Sequence, residues 1–181
     1  MYSRDGHDMA KNVQFDDFRG MLERLKKYEQ KEQEFFEACA KELAARLLAK
    51  LIKRTPVGLT TKKHKGGTLR RGWTAKTEAQ AAAGGSSQGT TKYVTGLRVQ
   101  KIGNAYQITI INPVHYASYI NYGHRQKPGR YVPALGKKLV KAWVPGNHMV
   151  EISEAEIEAE QHAIIERKLK KFLKEMFSDA Q

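Results

Sequence analysis

The side chains that could support catalysis in this sequence are few and scattered. General acid–base chemistry needs a histidine or a carboxylate in a prepared pocket, yet across residues 43–150 the only acidic residue is Glu78. The six histidines form no H-E-x-x-H pair, and none lies in the short-spaced cysteine and histidine clusters that bind zinc. They are His7, His64, His115, His124, His148 and His162. We therefore expect no enzymatic activity, no metal and no cofactor.

Two other reactive side chains have simpler structural interpretations. Ser118 lies in a short predicted helix without an acidic partner, so we expect a small packing residue and not a nucleophile. Cys39 is the only cysteine and lies in a helical pattern, which favours a core position over a disulfide or a reactive thiol. The glycines at 84–85 open a low-complexity segment, and the chain has no G-x-x-x-x-G-K-[ST] motif for binding phosphates. We expect no nucleotide-driven activity.

Charge is segregated along the chain, whose formal net charge is +13. Residues 43–150 contain nineteen lysines and arginines, whereas residues 1–42 and 151–181 are mildly acidic. A basic middle would suit nucleic acid, an acidic partner, or the acidic ends of neighbouring copies. Aromatic residues near the cations could stack on bases, namely Trp73, Tyr93, Tyr131 and Trp143. Because no sequence-reading motif is present, the alternative function is nonspecific nucleic-acid binding.

Apolar residues at helical spacing predict a long first helix. The pattern covers about residues 15–54 and leaves open a break near 28–31. The helix should end at Thr55, because a residue that precedes proline is displaced from the α region. Residues 1–12 are predicted to be a disordered start, and residues 13–178 to form a single domain.

The next segment changes character. Residues 57–91 are dominated by glycine, serine, threonine and lysine, which predicts a long mobile basic loop. Such a long loop inside a domain is uncommon and is often functional. Beyond it, β-branched and aromatic residues flank a turn signal at 102–104. They predict an antiparallel hairpin with strands at 94–99 and 106–111.

A short tyrosine-rich helix should follow. Asn112 can cap its first N–H groups, Pro113 fits its first turn, and Gly123 can close it with a positive φ. Residues 124–146 mix turn signals with a short apolar stretch near 135–143. We predict a basic loop there, followed by an extended or strand-like segment.

The last helix should begin near Asn147, which could cap it, with Ser153 and Glu156 as a capping box one turn later. The fold class is therefore predicted as α+β, with a small antiparallel sheet packed against long N-terminal and C-terminal helices and a long basic loop. Nowhere do about 18 apolar residues run together, so we expect no membrane contact and synthesis in the cytoplasm.

Three short elements occur in a recognisable order. They are TPVG at 55–58 with LRRGW at 69–73, then NPVHYASYINYGHR at 112–125, then WVPGNHM at 143–149. Together they resemble the neck or tail-completion proteins of tailed bacteriophages, the gene-product-ten-like family of lambdoid phages. The resemblance covers about 15–177. Its motif residues here are Pro56, Asn112, Pro113, Tyr116, Tyr119, Tyr122, Gly123, Pro145 and Gly146.

The resemblance implies a structural protein of the virion neck, made in the host cytoplasm and working without a cofactor. It implies a homo-oligomeric ring, with six copies preferred, that contacts head-connector and tail proteins. Nonspecific contact of the basic residues with packaged DNA could coexist with that role. Asn121 stands where the family often has an acid, and residues 74–91 have no counterpart. We expect the assembly or DNA-facing residues to be Lys62, Lys63, Lys65, Arg70, Arg71, Trp73, Arg125, Lys127 and Arg130.

Overall fold

A computed structural model describes residues 16–58, 60, 66–83, 90–133 and 136–178. The chain divides into two compact units, residues 1–36 and 37–181. The fold is α+β, as predicted, with long helices near both ends and small antiparallel sheets between them. The predicted disordered start, residues 1–12, lies outside the described residues.

Helix α1 runs without interruption over Asp16–Arg54, so no break occurs near residues 28–31. It ends as predicted, because the peptide before Pro56 leaves the helix and Thr55 closes the last turn. The Thr55 amide and hydroxyl both donate to the Leu51 carbonyl, at 2.9 and 2.6 Å. Within the second unit α1 buries Cys39, which matches its predicted core position. Ala44, Leu48 and Leu51 are buried on the same helix.

Three short helices occupy part of the segment predicted as a loop. They are α2 (Thr68–Gly72), α3 (Glu78–Ala83) and α4 (Thr90–Thr95). The loop prediction is therefore wrong for much of 57–91, and the strand prediction is wrong at Val94. Helical spacing brings Val94 and Leu97 to the same face, where Val94 is buried in the core and Leu97 packs against it. Tertiary packing thus overrides the preference of Thr, Tyr and Val for strands.

A hairpin forms at the predicted turn, but the predicted first strand, 94–99, is wrong because none of those residues is in a strand, and the second strand ends at Gln107 and not at Ile111. Strands β1 (Gln100–Ile102) and β2 (Ala105–Gln107) pair antiparallel across a two-residue turn, and Gly103 has a positive φ of 60°. Residues 108–111 continue from β2 but pair with no strand among the described residues.

The short helix α5 covers Ala117–Tyr122 and begins later than predicted. Asn112 does not cap this helix. Its Oδ1 accepts the amide of Val114 at 3.2 Å, which forms a turn that precedes the helix. Val114 is buried, and its carbonyl accepts the amide of Ala117 at 2.9 Å.

We call residues 123–145 the basic arm. At its base β3 (Gly123–Arg125) pairs antiparallel with β6 (Trp143–Pro145), and further along β4 (Tyr131–Val132) pairs antiparallel with β5 (Lys137–Lys138). Between these two sheets the amides of Gln126, Gly129 and Leu139 donate to the carbonyls of Ala142, Leu139 and Arg130, and a turn at 128–129 shifts the register by one residue. The predicted basic loop is therefore partly strand.

Helix α6 covers Met149–Ser178 and packs antiparallel to the second-unit part of α1. Lys50 pairs with Glu156 at 3.0 Å and with Glu160 at 2.9 Å, while Lys168 pairs with Glu42 at 2.9 Å. The predicted caps of α6 are wrong. His148 precedes the helix with a φ of 46°, and Ser153 lies within it, donating to the Met149 carbonyl.

Candidate interaction surface

Arg70, predicted to face a partner, is directed into the fold. Its Nε and Nη2 both donate to the carbonyl of Thr55, at 3.1 and 2.7 Å. A planar guanidinium presents two parallel donors, so one arginine can hold the carbonyl that follows the end of α1. Arg70 therefore ties α2 to the end of α1.

Arg71 is also used within the fold. Its Nε donates to the Ala81 carbonyl at 2.8 Å and its Nη1 to the Gly66 carbonyl at 2.9 Å. These bonds join the start of α2 to α3. The assignment of Arg70 and Arg71 to an external contact is revised, because their donors are occupied by backbone carbonyls of their own chain.

Trp73 lies in the core with 5% of its surface exposed. Its Nε1 donates to the Thr55 hydroxyl at 2.7 Å. A tryptophan so buried cannot stack on a base or a partner, so its predicted contact role is wrong. The LRRGW element thus surrounds Thr55, with Arg70 on its carbonyl and Trp73 on its hydroxyl.

Residues 112–125, the second element, contact residues 69–73 of the first through Asn112. Its Nδ2 donates to the Leu69 carbonyl at 2.9 Å. A side chain at Gly72 would overlap the Asn112 carboxamide and the Val114 side chain. Glycine is therefore required between Arg71 and Trp73 by close packing.

The second element also holds the third. The Asn121 side chain, 3% exposed, accepts the Val150 amide at 3.1 Å and so satisfies a free N–H group at the start of α6. Its Nδ2 donates to both carboxylate oxygens of Glu151 at 3.0 Å. An amide can do both, whereas an acid at 121 would repel Glu151. Asn121 stands where the family often has an acid, and in this chain Glu151 places an acid opposite that position.

Two glycines meet at the base of the basic arm. Gly123 has the predicted positive φ, 85°, although its ψ of 174° makes it the first residue of β3 and not a left-handed cap. Side chains at Gly123 or Gly146 would overlap the opposing backbone. Pro145, the last residue of β6, pairs with Gly123.

The tyrosines in and just before α5 divide between core and surface. Tyr116 is half-buried and packs against the core, and Pro113 is also half-buried. Tyr119 and Tyr122 are exposed, and Tyr119 lies 5.8 Å from the His124 ring. Pro56 is exposed just after α1.

The basic arm carries the cations that remain available. Arg125, Lys127 and Arg130 are exposed, and none has an ion pair or side-chain hydrogen bond in the described part of the chain. Three further cations in the same condition were missed, because they fell in a segment predicted as an apolar strand: Lys137, Lys138 and Lys141. Lys62, Lys63 and Lys65 lie outside the described residues.

An open cavity of about 620 Å³ lies between α1, α6 and residues 106–112. We call it the apolar groove. Its lining is mainly aliphatic and includes Leu43, Leu47, Ile108, Ile110 and Ile157. No feature of the sequence pattern predicted this groove, because its residues come from α1, Trp73, residues 106–112, α5 and α6, which are separate in sequence.

The one acid of the basic middle forms an exposed pair with a histidine. Glu78 Oε1 lies 2.7 Å from His115 Nδ1, and Glu78 Oε2 accepts the His115 amide at 3.3 Å. The hydrogen bond from His115 holds the pKa of Glu78 below its usual range. This pair links α3 to the residues before α5, and it lies on the surface and not in a pocket.

Within the described ranges, no three histidine, cysteine or acidic residues are grouped as metal ligands. No helix there combines the length and apolarity needed to cross a membrane.

Comparison with known proteins gives one family match. The sequence profile of the HK97-gp10-like family, "Bacteriophage HK97-gp10, putative tail-component", matches residues 19–123. Comparison with curated proteins and with solved structures found no match. The family match includes the first element and residues 112–123 of the second, so α6 and the basic arm after Gly123 lie beyond it. Since it spans more than half of the chain, the chain belongs to the HK97-gp10-like family of bacteriophage proteins.

Proposed function

We propose that this protein is a structural component of the phage neck, forming a ring that joins or completes the connection between head and tail. The supporting observation is the basic arm, whose cations are exposed and have no ion pair within the described ranges. Cations not used by the fold are available for an external contact. We propose no catalytic role, since the only acid–histidine pair in the basic middle is an exposed structural link.

A ring of identical chains requires heterologous contacts, in which one surface meets a different surface on the next copy. Charge segregation supplies two such surfaces, because residues 123–145 contain six lysines and arginines and no acid, whereas residues 149–166 contain six acids and no lysine or arginine. We propose six copies, in contact with neighbouring connector and tail proteins of the virion. The chain would be made in the host cytoplasm.

Nonspecific nucleic-acid binding is the second candidate. Arg125, Lys127 and Arg130 could neutralise backbone phosphates, and binding of that kind weakens steeply as salt rises. Within the ring, the same cations could touch DNA that passes through the neck.

Mass photometry of the purified full chain, with and without duplex DNA, separates the two candidates. A discrete oligomer without DNA supports the neck ring, whereas assembly that requires DNA supports the second candidate. In parallel, phage that lacks the protein should accumulate separate heads and tails, and a plasmid copy of the gene should restore joining. Normal joining without the protein would overturn the neck assignment.

A further inference from the structure

The segment 108–111 has the character of a strand that lacks a partner. Its burial alternates, with Ile108 and Ile110 partly buried and Thr109 and Ile111 exposed, as in a half-buried strand. Among the described residues, none of its backbone N–H or C=O groups has a hydrogen-bond partner. Such an open edge is a template for a strand from another chain.

The open edge forms one wall of the apolar groove. Leu43 and Leu47 of α1, which are half-buried, and Ile157 of α6, which is buried, also line it, and Ile111 is exposed beside them. Partly exposed apolar side chains that line an open cavity are suited to contact with another chain. The groove therefore offers both apolar burial and unpaired backbone groups to a bound strand.

One acid stands at the rim of the groove. Glu154 lines it, and Glu158 lies one turn further along α6. Glu156 and Glu160 are already paired with Lys50, but Glu154 and Glu158 have no cationic partner in the described part of the chain. A ligand that carries lysines or arginines beside apolar side chains could pair with these acids and also contact the aliphatic lining of the groove.

The basic arm has that chemistry. Besides its six cations it exposes Val140 at 86%, Tyr131 at 56% and Trp143 at 50%. It is also a β-hairpin, so its outer edges present the backbone groups that an unpaired strand requires. Phosphate binding alone would use the cations but would leave Val140 and the apolar groove in water, which favours a protein partner over DNA.

The arm cannot occupy the groove of its own chain without breaking its ladder. Its base begins at Gly123, directly after the groove residue Tyr122, and is fixed by close packing against Gly146. Its outer sheet, β4 with β5, is joined to that base through residues 126–130 and 139–142. The occupant must therefore come from another copy.

We infer that the basic arm of one copy docks in the apolar groove of the next, adding a strand to residues 108–111 and placing its cations against Glu154 and Glu158. The contact is heterologous, so its repetition closes a ring. This inference rests on the proposed function, because it specifies the contact that builds the proposed ring.

Two complementary variants test the contact in the full chain. The arm variant carries Lys137→Glu, Lys138→Glu and Val140→Asp, and the groove variant carries Ile111→Arg and Glu154→Lys. All five positions are exposed, so we expect both variants to keep the melting temperature of the unmodified protein. Phe177→Asp, at an exposed position outside both surfaces, is the matched control.

We expect the unmodified protein and the control to assemble, and each variant alone to be monomeric, with self-association weakened roughly tenfold or more. An equimolar mixture should give a dimer and no ring, because only one intact arm and one intact groove then meet. Hydrogen exchange should show protection of the amides of residues 108–111 on assembly and not in either variant alone.

Three outcomes would overturn the inference: variants that assemble like the control, an unmodified protein that stays monomeric without DNA or other phage proteins, or assembly that occurs without protection at 108–111. DNA-dependent assembly lost in the arm variant would assign the arm to nucleic acid instead. The head–tail joining assay tests the proposed function separately. If the arm and groove variants still join heads to tails, the inference is wrong but the proposed function stands.

Discussion

The carboxamide of Asn121 faces the carboxylate of Glu151, with its Nδ2 3.0 Å from each carboxylate oxygen. These two hydrogen bonds to Glu151 require an N–H donor on the side chain at 121, because its Oδ1 already accepts the Val150 amide. The hydrogen bonds of Glu151 outweigh its desolvation, so its pKa lies below the usual range.

Asn121→Asp should destabilise the protein, because two carboxylates would then face each other at a buried site. We expect a loss of about 2 kcal/mol in the free energy of unfolding, measured in urea at neutral pH. Combining Asn121→Asp with Glu151→Gln restores a donor opposite the new acid and should recover much of this loss. Unchanged stability in the single variant would mean that the pair does not hold α6.

Arg70→Lys should also destabilise the fold. Lysine cannot present two parallel donors to the Thr55 carbonyl, so we expect a loss of about 1 to 2 kcal/mol. The matched control is Arg130→Lys on the basic arm, which should change stability by less than about 0.5 kcal/mol. Equal effects at the two positions would contradict the division of the cations into structural and available groups.

Gly123→Ala should be far more damaging than a similar change in an open turn. At Gly123 a Cβ would be strained by φ and would overlap the backbone of β6, so we expect a loss of about 2 kcal/mol or more. Gly103→Asn is the control, because Gly103 has open space around it and asparagine tolerates a positive φ. Thermal melts of both variants would expose the difference, and a stable Gly123→Ala protein would contradict the close approach at the arm base.

Stability should fall in acid through the pairs between α1 and α6. Hydrogen bonds from Lys50 and Arg54 lower the pKa of Glu156, and those from Lys168 and Arg46 lower the pKa of Glu42. A lowered folded-state pKa gives stability that is present above the ordinary glutamate value of about 4.3 and is lost as pH falls through the folded-state value.

Glu156→Gln should therefore flatten the decline of melting temperature below about pH 4.3. Glu37→Gln, on α1 and with no cationic partner among the described residues, should leave the slope unchanged. If both variants decline alike, the acid sensitivity has another source.

The sequence predicted features that depend on local chemistry. Proline at 56 ended α1, and Gly103 allowed the hairpin turn at 102–104. It failed where distant partners decided the outcome. Thr90–Thr95 became helical because Val94 reaches the core that way, and Asn147 was not needed as a cap because Asn121, from another element, supplies the acceptor.

The candidate site shows the same division. Composition located the positive charge, but it could not separate Arg70, which holds a backbone carbonyl, from Arg130, which faces solvent. The apolar groove was invisible because periodicity describes one segment at a time. Its walls meet only after α1, α6 and residues 106–112 have packed together.

The side chains that lock the three elements together bind mostly main-chain groups. Arg70, Arg71 and Asn112 donate to the carbonyls of Thr55, Ala81, Gly66 and Leu69. A main-chain acceptor is present whichever residue occupies the position, and the four acceptor residues are also buried, so packing constrains them as well. The framework can therefore stay constant while the exposed positions of the arm and groove diverge, so that related chains could differ in what they contact without a change in the scaffold.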